Sequence, residues 1–428
     1  MINQKYVTDL DKNDPLARYL DEFVREDKTL CYLDGNSLGR LPTKTINEIN
    51  NFLNHEWGKQ LVGGWNKWID EAQRVGDLIA RSTLGAKQNQ VLATDTTSVN
   101  LYRACLGAIK ANPNKKTIIT DEANFPTDRY IVQEIAKEYG LNLVTIKNDI
   151  NLDSSGNYNM ENELITSEIL EKYLNNDVCF VTLSVVQYRS GALNDVENLT
   201  KLIHKYGALT IWDASHAVGV VDLKFDSCNI DFAIGCTYKY GNSGPGAPAW
   251  IYINEKIQEK INLPIHGWFA QRNQFLMGSE FEQAEGMRGF QIASPSILGL
   301  RCIKSSFEII EDASIKKISE KAQIGTNLMI DLFDQFLAPL GFELTTPRDQ
   351  NQHGGHITLF HKDAEKIARG LRIHKNLIPD YRVPNCIRLA ISPLTNSFSE
   401  IYDGFMRIQD YVKSEKYLEL AESDSEVT

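Results

Sequence analysis

The sequence predicts an α/β protein with a large domain on a mainly parallel β-sheet and a smaller α+β domain after it. Between about residues 90 and 255, short apolar runs alternate with amphipathic segments, as in parallel βαβ units whose sheet is covered on both faces. A chain of 428 residues with a 42% apolar share is also long enough for more than one core. The predicted strands of the large domain are TIIT (117–120), LVTIK (143–147), CFVTLS (179–184), LTIWD (209–213), DFAIG (231–235) and AWIYI (249–253).

A long helical pattern near residues 295–335 follows the large domain. Polar helical stretches then separate three more strand-like runs. This mixture predicts the smaller α+β domain, joined to the large one through the long helix. The three runs are FELTT (342–346), HITLF (356–360) and IRLAI (387–391).

Charge and cysteine content narrow the class of protein. The net charge of −11 argues against non-specific binding to nucleic acids or anionic membranes. No apolar run approaches the length of a membrane span, and the N-terminus has no apolar signal-peptide core. The seven cysteines are scattered without a C-x-x-C pair, so neither a disulfide framework nor a zinc ribbon is indicated. We expect a soluble, cytoplasmic protein with no nucleic-acid or membrane partner.

One histidine pair has a spacing that could suggest a metal. His353 and His356 form the motif HGGH, but they lie on a glycine-containing turn just before a predicted strand. This position makes a metal site the less favoured interpretation of the spacing. We therefore predict no metal.

The candidate site centres on Lys239, which follows a predicted strand and precedes a glycine-rich segment. Such a lysine is either an exposed cation beside a turn or a catalytic amine in a pocket. Asp213 ends the preceding strand and His216 follows three residues later, so all three can face the crevice beyond the strands' carboxyl ends. A pyridine cofactor with an aldehyde would give both the carboxylate and the amine a partner. Taken alone, Asp213 could be a helix N-cap and His216 a core histidine.

Two further segments could complete a cofactor site. Thr96, Thr97 and Ser98 stand at the mouth of a predicted helix, where hydroxyl and backbone N–H groups can hold a phosphate without a basic side chain. In NFPTDRY, Phe125 could stack on a flat ring and Asp128 could anchor it. A plain helix cap and ordinary turn chemistry are the alternatives.

Five motifs together identify a family: FPTD (125–128), DASHAVG (213–219), GCTYKYGNSGPG (235–246), HGWF (266–269) and RLA..PL.NSF (388–398). With them the chain resembles kynureninases, which are pyridoxal phosphate (PLP) enzymes of the fold type I, aminotransferase-like superfamily. The resemblance implies a seven-stranded sheet in the large domain. It also implies hydrolysis of L-kynurenine, or 3-hydroxykynurenine, to anthranilate, or 3-hydroxyanthranilate, and L-alanine in tryptophan catabolism.

The resemblance assigns roles to individual residues. Lys239 would form a Schiff base with PLP and, once freed, move the α-proton, while Asp213 would pair with the pyridinium nitrogen. Tyr238 would bind the phosphate and could also donate to a developing oxyanion. Arg388 would bind the substrate's α-carboxylate; the alternative is a structural ion pair. The remaining cofactor-binding residues would be Thr97, Ser98, Phe125, Asp128, Ser184 and His216, with Trp268 contributed by the neighbouring subunit.

The aromatic end of the substrate would lie near Trp65 and Ser294. Animal-type kynureninases carry a histidine and an asparagine at these positions, which are linked to the 3-hydroxy substrate. The difference favours kynurenine as the substrate of this chain. The ratio of the two activities stays open.

The resemblance also implies a homodimer whose active sites form between subunits. We divide the chain into an N-terminal arm (1–55) that contributes to the small domain and to dimer contacts, a large PLP-binding domain (56–300) and a small domain (301–428). Arg388 belongs to the last of these.

Two alternative functions share part of the motif set. A cysteine desulfurase or class V aminotransferase would also have Asp213, His216 and Lys239, but a desulfurase needs a mobile nucleophilic cysteine. Cys302 lies in a helical pattern and Cys386 next to a strand, so neither is in an exposed glycine-rich loop. An inactive scaffold would be expected to have lost Lys239 or Asp213.

Overall fold

The computed structural model describes residues 1–147, 163–261 and 264–421. In these ranges the helices are α1 (Gln4–Lys12), α2 (Thr43–Asn51), α3 (Gly58–Gln60), α4 (Trp65–Trp68), α5 (Glu71–Ile79), α6 (Thr97–Ala111), α7 (Pro126–Tyr139), α8 (Ser167–Glu171), α9 (Val196–Lys205), α10 (Phe225–Cys228), α11 (Glu255–Gln258), α12 (Ile297–Ala313), α13 (Ile315–Leu332), α14 (Ala364–His374) and α15 (Phe398–Lys413). The strands are β1 (Cys31–Tyr32), β2 (Val91–Ala93), β3 (Thr117–Asp121), β4 (Asn142–Ile146), β5 (Val178–Ser184), β6 (Leu209–Asp213), β7 (Phe232–Gly235), β8 (Trp250–Ile253), β9 (Glu343–Leu344), β10 (His356–Phe360), β11 (Leu377–Ile378), β12 (Asp380–Arg382) and β13 (Cys386–Ala390).

The large domain is built on a seven-stranded sheet in the order β2-β8-β7-β6-β5-β3-β4. The pairs from β7 to β4 are all parallel, which confirms the predicted α/β class with a mainly parallel sheet. All six predicted strands lie in this sheet. The seventh, β2, was not predicted, because three apolar residues carry too little periodicity to mark a strand.

Strand β8 corrects the expectation of parallel βαβ units throughout. It runs antiparallel to both of its neighbours, β7 and β2. A parallel return would require a crossover of a dozen or more residues, usually a helix. The described segment 236–249 between β7 and β8 contains no helix, so the chain turns back beside β7. This segment carries Lys239.

The sheet lies inside one large apolar core. Every residue of β3 and β5 is buried, as expected for strands covered on both faces. Helices α5, α6, α7 and α9 pack against the strands. The core therefore holds the carboxyl ends of β5, β6 and β7 in a fixed arrangement, and the loops that follow them carry the candidate site.

A second core surrounds a four-stranded antiparallel sheet of order β12-β13-β10-β9. Residues from the N-terminal arm, Val7 and Cys31, belong to this core, and β1 pairs with β11. The predicted long helix near 295–335 is two helices, α12 and α13, because the backbone at Ser314 turns to φ = 70°. The domain boundaries themselves stay a prediction, and residues 422–428 of the predicted small domain lie outside the described ranges.

Among the described residues, no helix is both long and apolar enough to cross a membrane. Within the same ranges, no group of three or more histidine, cysteine or acidic side chains is arranged to hold a metal ion.

Candidate active site

A cavity of about 340 Å³ opens at the carboxyl ends of β5, β6 and β7, next to the first turn of α6. Nine of the thirteen predicted site residues line it: Thr97, Ser98, Phe125, Asp128, Ser184, Asp213, His216, Tyr238 and Lys239. A larger cavity of about 670 Å³ lies between α5 and α12, where charged side chains line it, and contains none of the thirteen. The smaller cavity is therefore the candidate active site.

Lys239 lies in this cavity and not on an open surface. Its Nζ is 2.8 Å from Nε2 of His216 and 5.9 Å from the centroid of the Phe125 ring. Burial, and then the nearby positive charge of Lys239, lower the pKa of His216 well below its ordinary value. His216 is therefore a neutral partner for the lysine amine.

The glycines after Lys239 are needed by the backbone of this loop. Gly244 and Gly246 have φ of 87° and 74°, which only glycine adopts readily. From the N-terminal arm, Gly39 comes so close that a Cβ there would lie 2.3 Å from the carbonyl oxygen of Lys239. The amide of Gly39 also donates to the carbonyl of Tyr238 at 2.8 Å. The arm and the glycines together hold the lysine loop in place.

Two carboxyl groups meet at the bottom of the cavity. Asp213 ends β6, and its Oδ1 accepts a hydrogen bond from the backbone N–H of Ser215 at 2.8 Å. Asp128, in the first turn of α7, shares a hydrogen bond with Asp213, and burial together with the charge of Asp213 raises the pKa of Asp128 well above its ordinary value. The raised pKa favours the protonated form of Asp128, which can donate a hydrogen bond to Asp213. Oδ2 of Asp128 is buried with no partner among the described residues.

The first turn of α6 forms one wall of the cavity, and the helix begins at Thr97 as predicted. The Thr96 side chain caps the helix by accepting from the N–H of Val99. Thr96 is thus a plain cap, the alternative considered for this segment. The first N–H groups of a helix have no acceptor within it, so those of Thr97 and Ser98, with their hydroxyls, face the cavity at the positive end of the helix dipole.

Phe125 and Ser184 are held by neighbours that the sequence did not single out. Tyr188 packs edge-on against Phe125, with ring centroids 5.2 Å apart at 87°. Asn124 accepts a hydrogen bond from the Ser184 hydroxyl at 2.8 Å. The position of Tyr188, four residues after the end of β5, was the signal that could have found it, because parallel strands point their carboxyl ends at one crevice.

Tyr238 precedes the lysine and lines the same cavity. The adjacent Cys236 thiol, and then burial, raise the pKa of Tyr238 above that of a free phenol. The hydroxyl is therefore protonated at neutral pH and is able to donate a hydrogen bond.

Arg388 lies on β13, is 1% exposed, and does not line the cavity. Its guanidinium makes a buried ion pair with Asp380 and donates to the Tyr188 carbonyl, and its Nη2 donates to the Ser37 hydroxyl at 3.1 Å. The ion pair is the structural alternative named for this residue. The sequence analysis did not identify Asp380 as the partner of Arg388. A signal was present: Asp380 comes eight residues earlier, and a hairpin that turns at Val-Pro-Asn places it opposite Arg388.

The three residues predicted for the aromatic end of the substrate and the partner contact lie outside the cavity. Trp65 and Trp268 belong to one aromatic cluster, because both pack on Phe269 at centroid distances of 5.9 and 5.4 Å. Trp268 is 46% exposed and Ser294 is also exposed. Trp65, Trp268 and Ser294 therefore do not line the cavity of their own subunit.

Comparison with known proteins identifies the family. The model of the kynureninase C-terminal domain matches residues 318–408. A kynureninase from Pseudomonas fluorescens is 31% identical over 405 residues, which cover 92% of each chain. One from Geobacillus thermodenitrificans is 32% identical over 424 residues, covering 96% of this chain and 95% of that protein. The chain belongs to the kynureninase family.

Solved structures similar to this kynureninase-family chain show the same fold. A cysteine desulfurase from Thermococcus onnurineus aligns with a TM-score of 0.75 over 93% of this chain and 98% of its own, at 17% identity. A variant of C-DES that carries glycine covalently linked to its PLP cofactor aligns with a TM-score of 0.73 over 90% and 97%, at 15% identity. The fold is that of fold type I PLP enzymes, and PLP is the cofactor of the family.

The residues of the cavity fit PLP. The carboxylate of Asp213 suits a protonated ring nitrogen, and Phe125 supplies an aromatic face to stack on the ring. Thr97, Ser98 and Tyr238 supply neutral donors for a phosphate, and Lys239 supplies the amine. The unpaired oxygen of Asp128 shows that the described chain alone does not satisfy every buried polar group there.

Proposed function

We propose that the chain is a PLP-dependent kynureninase, a hydrolase that cleaves the Cβ–Cγ bond of L-kynurenine to give anthranilate and L-alanine. The observation that carries this proposal is the meeting of Lys239, Asp213 and the first turn of α6 at one cavity. Family membership supplies the reaction class. A non-catalytic scaffold is not favoured, because Lys239 and Asp213 are both present and line the same cavity.

The reaction needs carbanion stabilisation and proton transfers, and the cavity can serve both. When bound, PLP supplies the electron sink for the substrate's α-carbon. Lys239 would move the α-proton, and His216, 2.8 Å away, holds its amine in the cavity. The Tyr238 hydroxyl is a donor for the oxygen that gains negative charge when water adds to the γ-carbonyl. Asp213 would stabilise positive charge at the ring nitrogen of bound PLP.

The test of this proposal is a hydrolysis assay with two substrates. Purified chain with added PLP is expected to release anthranilate from L-kynurenine, followed by its fluorescence, with a higher kcat/KM than for 3-hydroxykynurenine. This preference for kynurenine is supported by Trp65 and Ser294, which stand where animal-type kynureninases have a histidine and an asparagine. Failure to release an aromatic product from either substrate would contradict the function, and a preference for the 3-hydroxy form would contradict the order.

A desulfurase is the second candidate, and the two cysteines considered for its nucleophile, Cys302 and Cys386, argue against it. Burial raises the pKa of Cys386 to about 12, so its thiol is not a nucleophile at neutral pH. Burial also raises the pKa of Cys302, which lies within α12 and does not line the cavity. Release of sulfide from L-cysteine at a rate comparable with kynurenine hydrolysis would reverse this choice.

We infer that Arg388 binds the substrate's α-carboxylate at the edge of the site. An arginine with a buried carboxylate partner is oriented in advance, and Asp380 supplies that partner on the neighbouring strand. The Tyr188 carbonyl, which also contacts Arg388, belongs to a residue that lines the cavity. The guanidinium is thus tied to the cavity wall through Tyr188.

Arg388→Lys is expected to reduce kcat/KM for L-kynurenine at least tenfold, roughly 1.4 kcal/mol, because lysine keeps the charge but loses the planar fork. Inhibition by kynuramine, which lacks the α-carboxylate, should be unchanged. Since the arginine also holds Asp380, the melting temperature should fall, and Asp380→Asn provides a control for that loss. Equal weakening of kynurenine and kynuramine binding would mark Arg388 as structural only.

We also infer a homodimer with active sites shared between subunits. The exposed aromatic cluster of Trp268 continues into Phe275, Leu276 and Met277, which are 68, 77 and 71% exposed. A monomer rarely leaves such a contiguous apolar patch in water. Because Trp65 packs in the same cluster, both tryptophans would enter the partner's site together. The seven free cysteines fit a reducing compartment, and we propose the cytoplasm.

A mixture of two inactive variants tests the shared site. In a heterodimer of Lys239→Ala and Trp268→Ala subunits, one of the two sites would combine an intact Lys239 with an intact Trp268 from the partner. Random exchange of subunits should then restore about a quarter of the wild-type activity. A mixture of Lys239→Ala and Tyr238→Phe subunits is the control. Lys239 and Tyr238 line the same cavity of one subunit, so every site in this heterodimer carries one of the two substitutions. No recovery beyond this control would contradict the sharing of Trp268.

A further inference from the structure

The stretch of chain that carries Trp65, between α2 and α5, is an irregular helix. It consists of a π-helical turn (Phe52–Trp57), α3, a 3₁₀ turn (Leu61–Gly64) and α4. We call residues 52–70 the tryptophan segment. The 3₁₀ turn has poorer hydrogen-bond geometry than an α-helix, and π turns are rare, so side-chain contacts have to fix the position of this segment.

The middle of the tryptophan segment makes few packing contacts with its own chain. Leu61 and Val62 are 64 and 81% exposed. The backbone of Leu61 also has φ = 48°, which is uncommon for a residue other than glycine. Contacts at the two ends of the segment therefore decide where it lies.

One guanidinium, that of Arg301 on α12, lies against both ends. Its Nη2 donates to Oε2 of Glu56 at 2.8 Å, and its Nε is 3.5 Å from Oε1 of Glu71, the residue that directly follows the segment. Its Nη1 donates to Oε1 of Glu48 on α2 at 3.1 Å. Because the guanidinium is a rigid planar fork and is 8% exposed, these carboxylates are held at fixed positions around it.

The neighbouring cations do not replace Arg301 at Glu56. Glu48 also pairs with Lys304, and Glu71 also pairs with Arg74. Among the described residues, the cation that pairs with Glu56 is Arg301 alone. Loss of this guanidinium would leave a largely buried carboxylate without its charge partner, which is costly.

The Glu56 carboxylate also holds the tryptophans. Its Oε2 accepts a hydrogen bond from the indole N–H of Trp68 at 3.2 Å. Trp68 packs edge-on against Trp65, with ring centroids 5.7 Å apart at 77°. Phe52 lies between, 5.5 Å from the Trp68 ring and 5.9 Å from the Arg301 guanidinium. A continuous set of contacts thus runs from Arg301 through Glu56 and Trp68 to Trp65.

We propose that Arg301 is a positioning residue, which ties both ends of the tryptophan segment to α12 and so sets where Trp65 lies for the aromatic end of the substrate. The inference rests on the proposed function for the role of Trp65, whereas the contacts of Arg301 do not depend on it. Arg301 does not line the active-site cavity of its own subunit. It therefore acts through Trp65 and not on the cofactor or the reacting atoms.

Hydrogen exchange of backbone amides in the PLP-loaded chain tests the anchoring without turnover. In Arg301→Met, peptides from residues 57–70 should exchange about tenfold faster than in the wild type, because the segment opens locally when its ends are released. Lys304→Met is the matched control. Lys304 lies three residues further along α12 and pairs with Glu48 and Glu308, not with Glu56. It should leave the exchange of these peptides unchanged.

Glu56→Gln is the second variant, in case Arg301→Met does not fold. The amide can still accept from Trp68 but loses the ion pair, so exchange in residues 57–70 should rise by a smaller factor, about threefold. Unchanged exchange in a folded Arg301→Met, or in Glu56→Gln if it alone folds, would overturn the proposal. Equal acceleration throughout the chain would also overturn it, because it would show a loss of global stability and not of the anchor.

Kinetics test the consequence for the substrate. Arg301→Met should raise KM for L-kynurenine about tenfold while kcat changes less than about threefold, because the aromatic contact and not the lysine is disturbed. In a Trp65→Ala background the same substitution should raise KM less than about twofold further, since the residue through which Arg301 acts is absent. Equal effects in both backgrounds would overturn the route through Trp65. If the wild type does not hydrolyse kynurenine, the proposed function fails, but hydrogen exchange still decides whether Arg301 anchors the segment.

Discussion

Lys239→Ala is expected to abolish turnover of L-kynurenine and to leave a folded chain. Among the described residues that line the cavity, Lys239 is the only amine, so no other side chain can attach the cofactor or move the α-proton from its position. The fold should tolerate the change, because the lysine amine's one hydrogen bond within the described ranges is to His216. Borohydride treatment followed by peptide mass analysis should find the cofactor's mass on the Lys239 peptide of the wild type alone.

Lys239→Arg is the control for this prediction. Arginine keeps a positive charge beside His216 but does not form the covalent link to the cofactor. It should therefore be as inactive as alanine while its melting temperature stays close to that of the wild type. Turnover near the wild-type rate in Lys239→Ala would refute the assignment of the catalytic amine.

Asp213→Asn is expected to lower kcat on the order of 10³-fold, roughly 4 kcal/mol in the transition state, even with saturating PLP. The amide has nearly the same shape and can still accept from the N–H of Ser215. It has no negative charge, however, and so cannot keep the cofactor's ring nitrogen protonated, which weakens the electron sink. The measurement is kcat for L-kynurenine at increasing PLP concentrations.

Asp128→Asn is the matched control, because Asp128 is the carboxyl group that shares a hydrogen bond with Asp213. Since Asp128 is the protonated member of the pair, its replacement by an amide removes no negative charge and should have a much smaller effect on kcat. A larger loss in Asp128→Asn would exchange the two roles. A change in Asp213→Asn that is confined to PLP affinity would count against the electron-sink role.

The large domain shows which parts of the fold the sequence predicts. All six apolar runs are strands. Five of them, β3, β5, β6, β7 and β8, are almost wholly buried and so leave an uninterrupted apolar signal, whereas β4 is a partly exposed edge strand. The short strand β2 leaves no such signal. The antiparallel direction of β8 is also absent from the local pattern, since a buried strand reads the same in either direction. Similarly, the break at Ser314 between α12 and α13 is one residue in an otherwise continuous helical pattern.

The candidate site also has residues that the sequence predicts and residues that it misses. Lys239, Asp213 and Thr97 stand next to strand ends or a helix start, so the rule that ligands bind at the carboxyl ends of parallel strands was enough to bring them together. Asp380 was missed as the partner of Arg388, although the two residues lie on neighbouring strands of the small domain. Tyr188 was missed as the residue that links Arg388 to the cavity, because the packing of the small domain on the large one is not encoded in any motif spacing.

The sequence by itself determined the α/β class, the family and the chemical groups of the site, because burial periodicity and motif residues are local properties of the chain. Only the tertiary structure decided that Arg388 is ion-paired with Asp380, that Asp128 shares a hydrogen bond with Asp213, and that Trp268 lies outside its own subunit's cavity. Each of these depends on how folded segments pack, whether the segments are the neighbouring strands β12 and β13 or loops distant in the chain. Hydrogen bonds and ion pairs act over a few ångströms, so this packing, and not the order of residues alone, sets them.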